Sequence, residues 1–440
     1  MTKDEGTGIF RRGEPGYAEA RREATWNARD CGRHPDVIVQ ARSEADVVFA
    51  VRMARDAGQR IGVRSGGHSW NANHIRDGGM LIDVSRLADV EIDPAGMIAR
   101  AGPGCGGVDL ALELAKRKLF FPAGHCKGVK IGGYLLQGGY GWHSRELGPA
   151  CQSVIGIDYV DADGALRHAS ETENADMYWA ARGAGPGFFG VVTRFHLRLH
   201  RRPAVIGFTA TAYPASRLEE VVRWAHGVGP AVPNSIELML ILSRHIPAVK
   251  GPGILVFAPV FAESYRAARE AVSVLKGRPR GARLHVPFIP FRQAWMYEMV
   301  MNHYPTDHCY AVDNMWTHAG ADALLPGIEQ VVETLPAAPS HMLWMNWSPP
   351  PSRPDMAYSM EDNTYIALYG VWKDEPRGAD RWARDNMAAM QHLASGIQLA
   401  DENLANRPMP FMKPGNMAKL DALRAAYDPA GRFHAYMGRA

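Results

Sequence analysis

The chain has 440 residues, 46% hydrophobic and 22% charged, with 49 basic against 46 acidic side chains. This is globular composition and excludes a disordered chain. A net charge of +3 gives neither a nucleic-acid footprint nor a polybasic membrane patch.

At roughly 150 residues per domain, the length predicts two or three domains. No run approaches the ~18 uncharged apolar residues that a membrane-crossing helix needs. The opening MTKDEGTGIFRRGEPG lacks the apolar core of a secretory signal. The expectation is a soluble, cytoplasmic chain. Cys31, Cys105, Cys126, Cys151 and Cys309 are odd in number and form no CxxC pair, so neither a disulfide framework nor a structural zinc site is predicted.

In chain order, Asp36–Gln40 predicts a strand. Ser43 and Asp46 then form a capping box with Asp in place of Glu, opening a helix whose apolar residues fall at 47, 50, 51 and 54 and which stops at Gly58. Ile61–Arg64 and Met80–Val84 predict strands around a Gly/Asn-rich loop, Gly106–Leu119 a helix, Ile155–Val160 a strand ending in the turn Asp161–Gly164, and Gly190–Leu199 a further strand. Beyond residue 204 the predicted strands are Ile236–Leu242, Gly253–Pro259 and Tyr365–Trp372. The predicted helices there are Ser216–Gly227, Ser264–Lys276 and Ala379–Ala394, with Met417–Tyr427 helical in the tail. The layout is α+β, the second part an antiparallel sheet with helices over one face. Composition divides at the same place. Thirty of the 45 glycines lie in residues 1–200, whereas residues 201–400 hold 7 of 11 tryptophans and 11 of 20 methionines.

Gly102-Pro-Gly-Cys-Gly-Gly107 is a literal GxGxxG between a possible strand, Met97–Ala101, and a helix. A dinucleotide fingerprint also needs an acidic residue about 20 positions on. None occurs between Glu113 and Glu146, so the segment reads as a glycine-rich β–α turn. Three other segments carry more. Val63-Arg-Ser-Gly-Gly-His-Ser69 places paired glycines where backbone N–H groups can converge on an anion, with His68 at the lip. Gly124–Gly141 holds seven glycines in 18 residues, a density that suits backbone lying against a large flat ligand rather than regular structure. Cys126 stands in it between His125 and Lys127, a setting that favours a thiolate. Gly183-Ala-Gly-Pro-Gly-Phe-Phe-Gly-Val-Val192 repeats the glycine-aromatic pattern beside a strand. Taken singly, these are equally a hinge loop, an inert core thiol and a packed connection.

Together and in this order they resemble the flavin-binding domain of the FAD-linked oxidases of the vanillyl-alcohol-oxidase/p-cresol-methylhydroxylase fold, and within it the berberine-bridge-enzyme-like group. The resemblance runs from about Pro35 to Leu199, with Tyr427-Asp-Pro as a weaker C-terminal echo; residues 205–400 match loosely. It implies FAD held between two α+β subdomains (1–204), a substrate domain built on an antiparallel sheet (205–404) and a C-terminal return to the flavin domain (405–440). It implies that His68 bonds the flavin 8α-methyl carbon and Cys126 ring carbon 6. It further implies that Arg64, Ser65, Gly66 and Gly67 cradle the pyrophosphate, with Ser69 and Tyr140 beside the cofactor. Gly132, Gly133, Gly138 and Gly139 lie along the cofactor, Ile157 and Tyr159 flank the adenine side, and Val191 approaches the ring. Val129 matches the position controlling oxygen access, where a small branched residue goes with oxidases.

The remaining chemistry needs a base to take a hydroxyl or amine proton while the carbon-bound hydrogen leaves as hydride. Period two along Asn363–Trp372 puts Glu361, Asn363, Tyr365, Ala367 and Tyr369 on one face. Tyr365 and Tyr369 are readable as phenolate-type bases, substrate contacts or ordinary sheet tyrosines. The group often carries Arg-Asp where this chain has Glu361-Asp362. Tyr436 is readable as facing the flavin or as a buried structural tyrosine. His303, His308, Tyr310 and Asp313 form a polar cluster whose spacing fits no metal signature. The function expected is hydride transfer from a small aromatic, alkaloid-like or sugar substrate to FAD and then to oxygen, giving hydrogen peroxide. Competing readings are oxidative ring closure in natural-product assembly, a catalytically silent ligand-binding flavoprotein and a nicotinamide dehydrogenase.

Overall fold

The computed structural model describes residues 8–439. The first seven of the residues on which the expected lack of a secretory leader rests lie outside that range. Among the described residues no helix is long and apolar enough to cross a membrane.

Two large sheets share the first 200 residues, beside a small pairing of Leu119–Phe120 with His200–Arg201. One has the order Gly8–Arg11, Val37–Gln40, Met80–Asp83, Ile61–Arg64, with the last three strands parallel. Parallel pairing demands a crossover, and the helix Glu44–Asp56 makes it. Ser43 and Asp46 close the predicted capping box in both directions, and Val47, Ala50, Val51 and Ala54 are buried. The second sheet runs Val90–Asp93, Ile98–Ala101, Val191–Arg198, Val154–Val160, Leu166–Ser170, antiparallel throughout. The 44–56 helix packs on both sheets and joins them into one core. The GxGxxG segment therefore leaves a strand of an antiparallel sheet, outside the parallel βαβ context of a dinucleotide fingerprint. A Cβ on Gly102 or Gly104 would stand 2.2 Å from the carbonyl oxygens of Leu87 and Ser85, so these glycines admit a crossing chain.

The third large sheet has seven antiparallel strands in the order Leu284–Pro290, Val205–Pro214, Gly253–Ala262, Met239–Ser243, His341–Asn346, Thr364–Trp372, Cys309–Thr317. Four of these (205–214, 284–290, 309–317 and 341–346) escape sequence reading. So does the helix Ala321–Glu333, whose internal Pro326 disguises its period. Side chains alternate across the sheet. Leu240, Leu242, Met342, Trp344, Ile366 and Leu368 are buried beneath the helices Leu218–Val228, Tyr265–Val272, Ala321–Glu333 and Ala379–Met390. The intervening residues face the glycine-rich half of the chain. The tail then returns. After the helix Pro414–Tyr427, Ile61 N–H donates to Arg432 O at 2.7 Å and His434 N–H to Ile61 O at 2.9 Å.

The helix layer sits close enough that a Cβ on Gly370 would lie 2.0 Å from Ala379 O, at the start of the Ala379–Met390 helix. Gly370→Ala forces that helix off the sheet. It is expected to lower stability by about 1–3 kcal/mol, read as a lower denaturant midpoint with an unchanged slope.

Candidate active site

One large cavity lies where the two halves of the chain meet, and the centre of a water molecule can move through about 370 Å³ of it. That is far beyond a void for a single water, which needs only about 10–15 Å³ on the same measure. Its walls come from the 61–76 loop, the 124–142 segment, the 185–192 segment, the seven-stranded sheet, the 398–401 loop and the returning tail.

At one end lie Arg64, Ser65, Gly66, Gly67, His68 and Ser69, with Val129, Lys130, Gly132 and Gly133 across from them. Among the described residues, the backbone amides of Gly66, Gly67, His68 and Ser69 donate to no protein acceptor. Such amides want an anion or water. Arg64 frames this loop: its Nη1 donates to both Asp83 oxygens at 2.9 and 2.8 Å, and its Nη2 to Glu23 O at 3.0 Å. Gly133 faces open space, with no atom within 4 Å of where its Cβ would stand. Asn73 Oδ1, His125 Nε2 and Trp142 Nε1 line the same cavity, buried and without a hydrogen-bond partner. Free amides, the open space beside Gly133 and orphaned polar atoms around a cavity of this size fit FAD.

The His68 ring stacks on Trp26 at 4.8 Å between centroids and 22° between planes. Burial, with Arg64 and Lys130 nearby, pulls its pKa down to about 3, so the imidazole is neutral and nucleophilic. Gly128 packs on this ring, since a Cβ there would stand 2.9 Å from His68 Nε2, and Cys126, two residues earlier, lines the same cavity. Burial pushes the Cys126 thiol up to about 12, with the Asp401 charge adding to it. The expected thiolate is corrected here. Lys127 turns away to pair with Glu298, and His125, buried against Trp142 at 4.2 Å, is held neutral with its pKa at about 4.

Opposite stands the free face of the seven-stranded sheet. Met239 lies across from Met345 and Ile241 across from Leu343, with Phe257 on the next strand, and all five line the cavity. On the neighbouring strand Tyr365 and Tyr369 point the same way. Their hydroxyls both donate to Oδ2 of Asp401, at 2.5 and 2.8 Å, and Trp70 Nε1 donates to Oδ1 at 2.6 Å. Burial raises the Asp401 pKa above the usual carboxylate value, against the pull of those three hydrogen bonds. Burial, with the Asp401 charge second, also puts both phenols well above their usual range. Tyr369 stacks on His341 at 4.7 Å and 16° and meets Tyr304 edge-on at 5.2 Å.

Asp401, Trp70, Tyr304 and His341 are the site residues that sequence reading missed. No sequence pattern marks them: around Asp401, residues 397–404 mix four apolar residues with Gln398, Glu402 and Asn403 and carry no motif. Six predicted positions lie behind the wall. Ile157, Tyr159 and Val191 are buried, with Val192 lining in place of Val191; Tyr159 packs edge-on against Phe188, which does line the cavity. Tyr436 donates to Ala184 O at 2.6 Å and tethers the tail to the 183–187 loop. Gly138 and Gly139 make room for the rings of Tyr358 and Tyr134, whereas Tyr140 reaches the cavity.

Glu361 is also corrected. The strand begins at Thr364, so period two does not extend back to it. Its carboxylate is consumed by Arg353 (2.8 and 3.0 Å), Trp347 Nε1 (2.7 Å) and the Tyr358 hydroxyl (3.0 Å). His303, His308, Tyr310 and Asp313 do not converge. His303 and His341 meet in the cavity wall, His308 bonds Thr306 O, the Tyr310 hydroxyl bonds Pro305 O, and Asp313 pairs with Arg407.

Asn314 holds the loop that presents Asp401. Its Nδ2 donates to Asp401 O at 2.8 Å and Gln398 O at 3.1 Å, and its Oδ1 accepts from Gln398 N at 2.7 Å. Beside it Asp313 and Arg407 form a buried ion pair, which Asn403 joins at 3.0 Å. Asp313→Ala leaves a buried guanidinium without its partner. It is expected to cost about 3–5 kcal/mol in chemical unfolding, with matching loss of activity at temperatures where the wild type is stable.

Comparison with known proteins agrees with this geometry. Residues 35–170 match the FAD binding domain family. The chain is 31% identical over 428 residues to the FAD-linked oxidoreductase ptmO of Penicillium ochrochloron, covering 96% of this chain and 94% of that one. It is 37% identical over 195 residues to (R)-6-hydroxynicotine oxidase of Paenarthrobacter nicotinovorans, covering 44% and 42%. In fold it is similar to crystalline 6-hydroxy-D-nicotine oxidase from Arthrobacter nicotinovorans, with TM-score 0.84 at 23% identity, covering 97% and 96% of the two chains. The two-sheet flavin-binding half, the sheet opposite it and full-length kinship at this level make the chain an enzyme of the FAD-linked oxidoreductases.

Proposed function

We propose that the enzyme is an oxidase whose FAD is bonded to both His68 and Cys126, and that it oxidises a small, largely apolar alcohol or amine with oxygen as acceptor, releasing hydrogen peroxide. The observation that carries the reading is the buried Asp401 carboxylate with two cavity-facing phenols hydrogen-bonded to it. FAD, when bound, supplies the two-electron acceptor for the hydrogen leaving the substrate carbon.

The chain's own residues do the rest. A phenol, Tyr365 or Tyr369, meets the substrate hydroxyl or amine, takes its proton and hands its own to Asp401. A raised carboxyl pKa makes Asp401 a better proton acceptor than an exposed aspartate. Asn314 and Trp70 fix where that acceptor stands. Burial of the cluster excludes water, so the developing charge is met by fixed dipoles. Met239, Ile241, Phe257, Leu343 and Met345 offer the substrate flat, polarisable contact, and Asp401 is the one acid among the lining residues. His341, pulled down to about 3 by burial and by neighbouring His303, stays neutral and adds no cation to that wall. An uncharged ring-bearing alcohol or a neutral amine suits such a surface, and one relative bears the name of a nicotine oxidase. Two features support the tether: a neutral His68 imidazole, and a Cys126 side chain in the same cavity. Val129, a small branched residue on the wall, supports oxygen as acceptor.

The tether has a direct test. Acid-precipitated wild type is expected to stay yellow. His68→Ala and Cys126→Ala should each keep one bond, and the double variant should release all its FAD on denaturation. Retention of covalent flavin by the double variant overturns the assignment. For the reaction, an anaerobic screen of apolar alcohols and amines is expected to bleach the flavin absorbance and, in air, to yield peroxide. Product analysis separates simple oxidation from oxidative ring closure, and saturable binding without bleaching would mark a non-catalytic flavoprotein.

A further inference from the structure

Away from the cavity, three side chains on neighbouring strands of the five-stranded sheet converge in a way that the flavin chemistry does not use. Asp158 lies on the Val154–Val160 strand, His168 directly opposite on the edge strand Leu166–Ser170, and His196 on Val191–Arg198. His168 Nδ1 lies 2.7 Å from Asp158 Oδ1, and His196 Nε2 lies 3.1 Å from Asp158 Oδ2. The three ligand atoms all fall within 4.8 Å of one another. The imidazole rings are 5.2 Å apart and nearly perpendicular, at 89°. Among the described residues this is the one such gathering of three.

The register explains it. His196 pairs across from Gly156, two residues before Asp158 on the same strand, which puts its ring within diagonal reach of the carboxylate. A Cβ at 156 would also stand 3.3 Å from His168 Cε1, so the glycine clears space for the second ring.

We propose that Asp158, His168 and His196 form a divalent transition-metal site on this sheet. Two ring nitrogens aim at the two oxygens of one carboxylate, so three ligand atoms of metal-binding type already face one another within 4.8 Å. Imidazole with carboxylate suits Zn²⁺, Ni²⁺ and Cu²⁺, whereas Mg²⁺ and Ca²⁺ want oxygen ligands throughout. The side chains are 38%, 25% and 20% exposed for His168, Asp158 and His196, so water can complete the coordination shell. Neighbouring cations are already engaged. Arg167 pairs with Asp161 at 3.1 Å, and Arg194 and Arg100 share Glu91 at 3.5 and 3.8 Å. The ion would clamp the edge strand 166–170 through the 154–160 strand to the 191–198 strand, stiffening the sheet whose far end reaches the cavity at Val192.

The test is calorimetric titration of the untagged holoprotein with Zn²⁺. One ion per chain is expected, with His168→Ala, His196→Ala and Asp158→Asn each weakening association by about tenfold or more. The unfolding temperature of the wild type, but not of the variants, should rise with Zn²⁺, while Mg²⁺ does nothing. The flavin spectrum of each variant reports that it has folded, and His196→Gln serves if His196→Ala has not. Zn²⁺ binding of equal strength in wild type and variants, or no saturable binding by the wild type up to about 1 mM, overturns the proposal.

Discussion

One buried carboxylate ties together the three parts of this enzyme. Asp401 comes from the loop after the sheet domain's last helix, Tyr365 and Tyr369 from the sheet, and Trp70 from the flavin-binding half. A carboxylate taken out of water must be matched by donors or it becomes protonated. Here three donors meet it, and they assemble only when the sheet, the flavin half and the return loop dock together. The same geometry is also a check on the fold: displacing any of the three segments leaves the buried acid short of at least one of its hydrogen bonds.

The two halves reach the cavity by different means. The flavin half uses backbone: the glycine-rich loop 66–69 leaves its amides unpaired, and Gly133 leaves open space beside the main chain. The sheet half uses side chains, and the two-residue period of a strand sorts them. Odd positions such as 239, 241, 343, 345, 365 and 369 face the cavity, while their even neighbours are sealed beneath helices. A one-residue slip of the Thr364–Trp372 strand would send both tyrosines into the helix layer and Ile366 and Leu368 into the cavity.

Much of this was legible in the sequence, for local reasons. The capping box at Ser43, the glycine segments around His68 and Cys126, and the antiparallel sheet with helices on one face all follow from short-range patterns. Tyr365 and Tyr369 were singled out because strand alternation is local too. Glu361 was misplaced because that alternation was carried past the strand's true start, onto a residue committed to Arg353. The thiolate expected at Cys126 fails because neighbours in sequence are not neighbours in space: Lys127 faces away, and burial decides the protonation state. Asp401 was invisible because its loop has no motif, and its importance lies in burial and in partners 32, 36 and 331 residues distant. The same holds for the edge-on contact of Tyr304 with Tyr369, which only the folded chain creates.

The central claim is that Asp401 accepts the substrate proton through a phenol. A carboxylate must be ionised to do so, so the rate falls as pH falls through its pKa, and burial sets that pKa above the ordinary 3.8 of an aspartate. The decisive measurement is the pH dependence of flavin bleaching in anaerobic single turnovers of wild type and Asp401→Asn. The account predicts an acid limb in the wild type, displaced upward from the usual carboxylate range. In the variant that limb disappears, the plateau rate falls by about 10²–10⁴-fold and bound FAD is unchanged. An acid limb that persists unaltered in Asp401→Asn, at an undiminished rate, would contradict it.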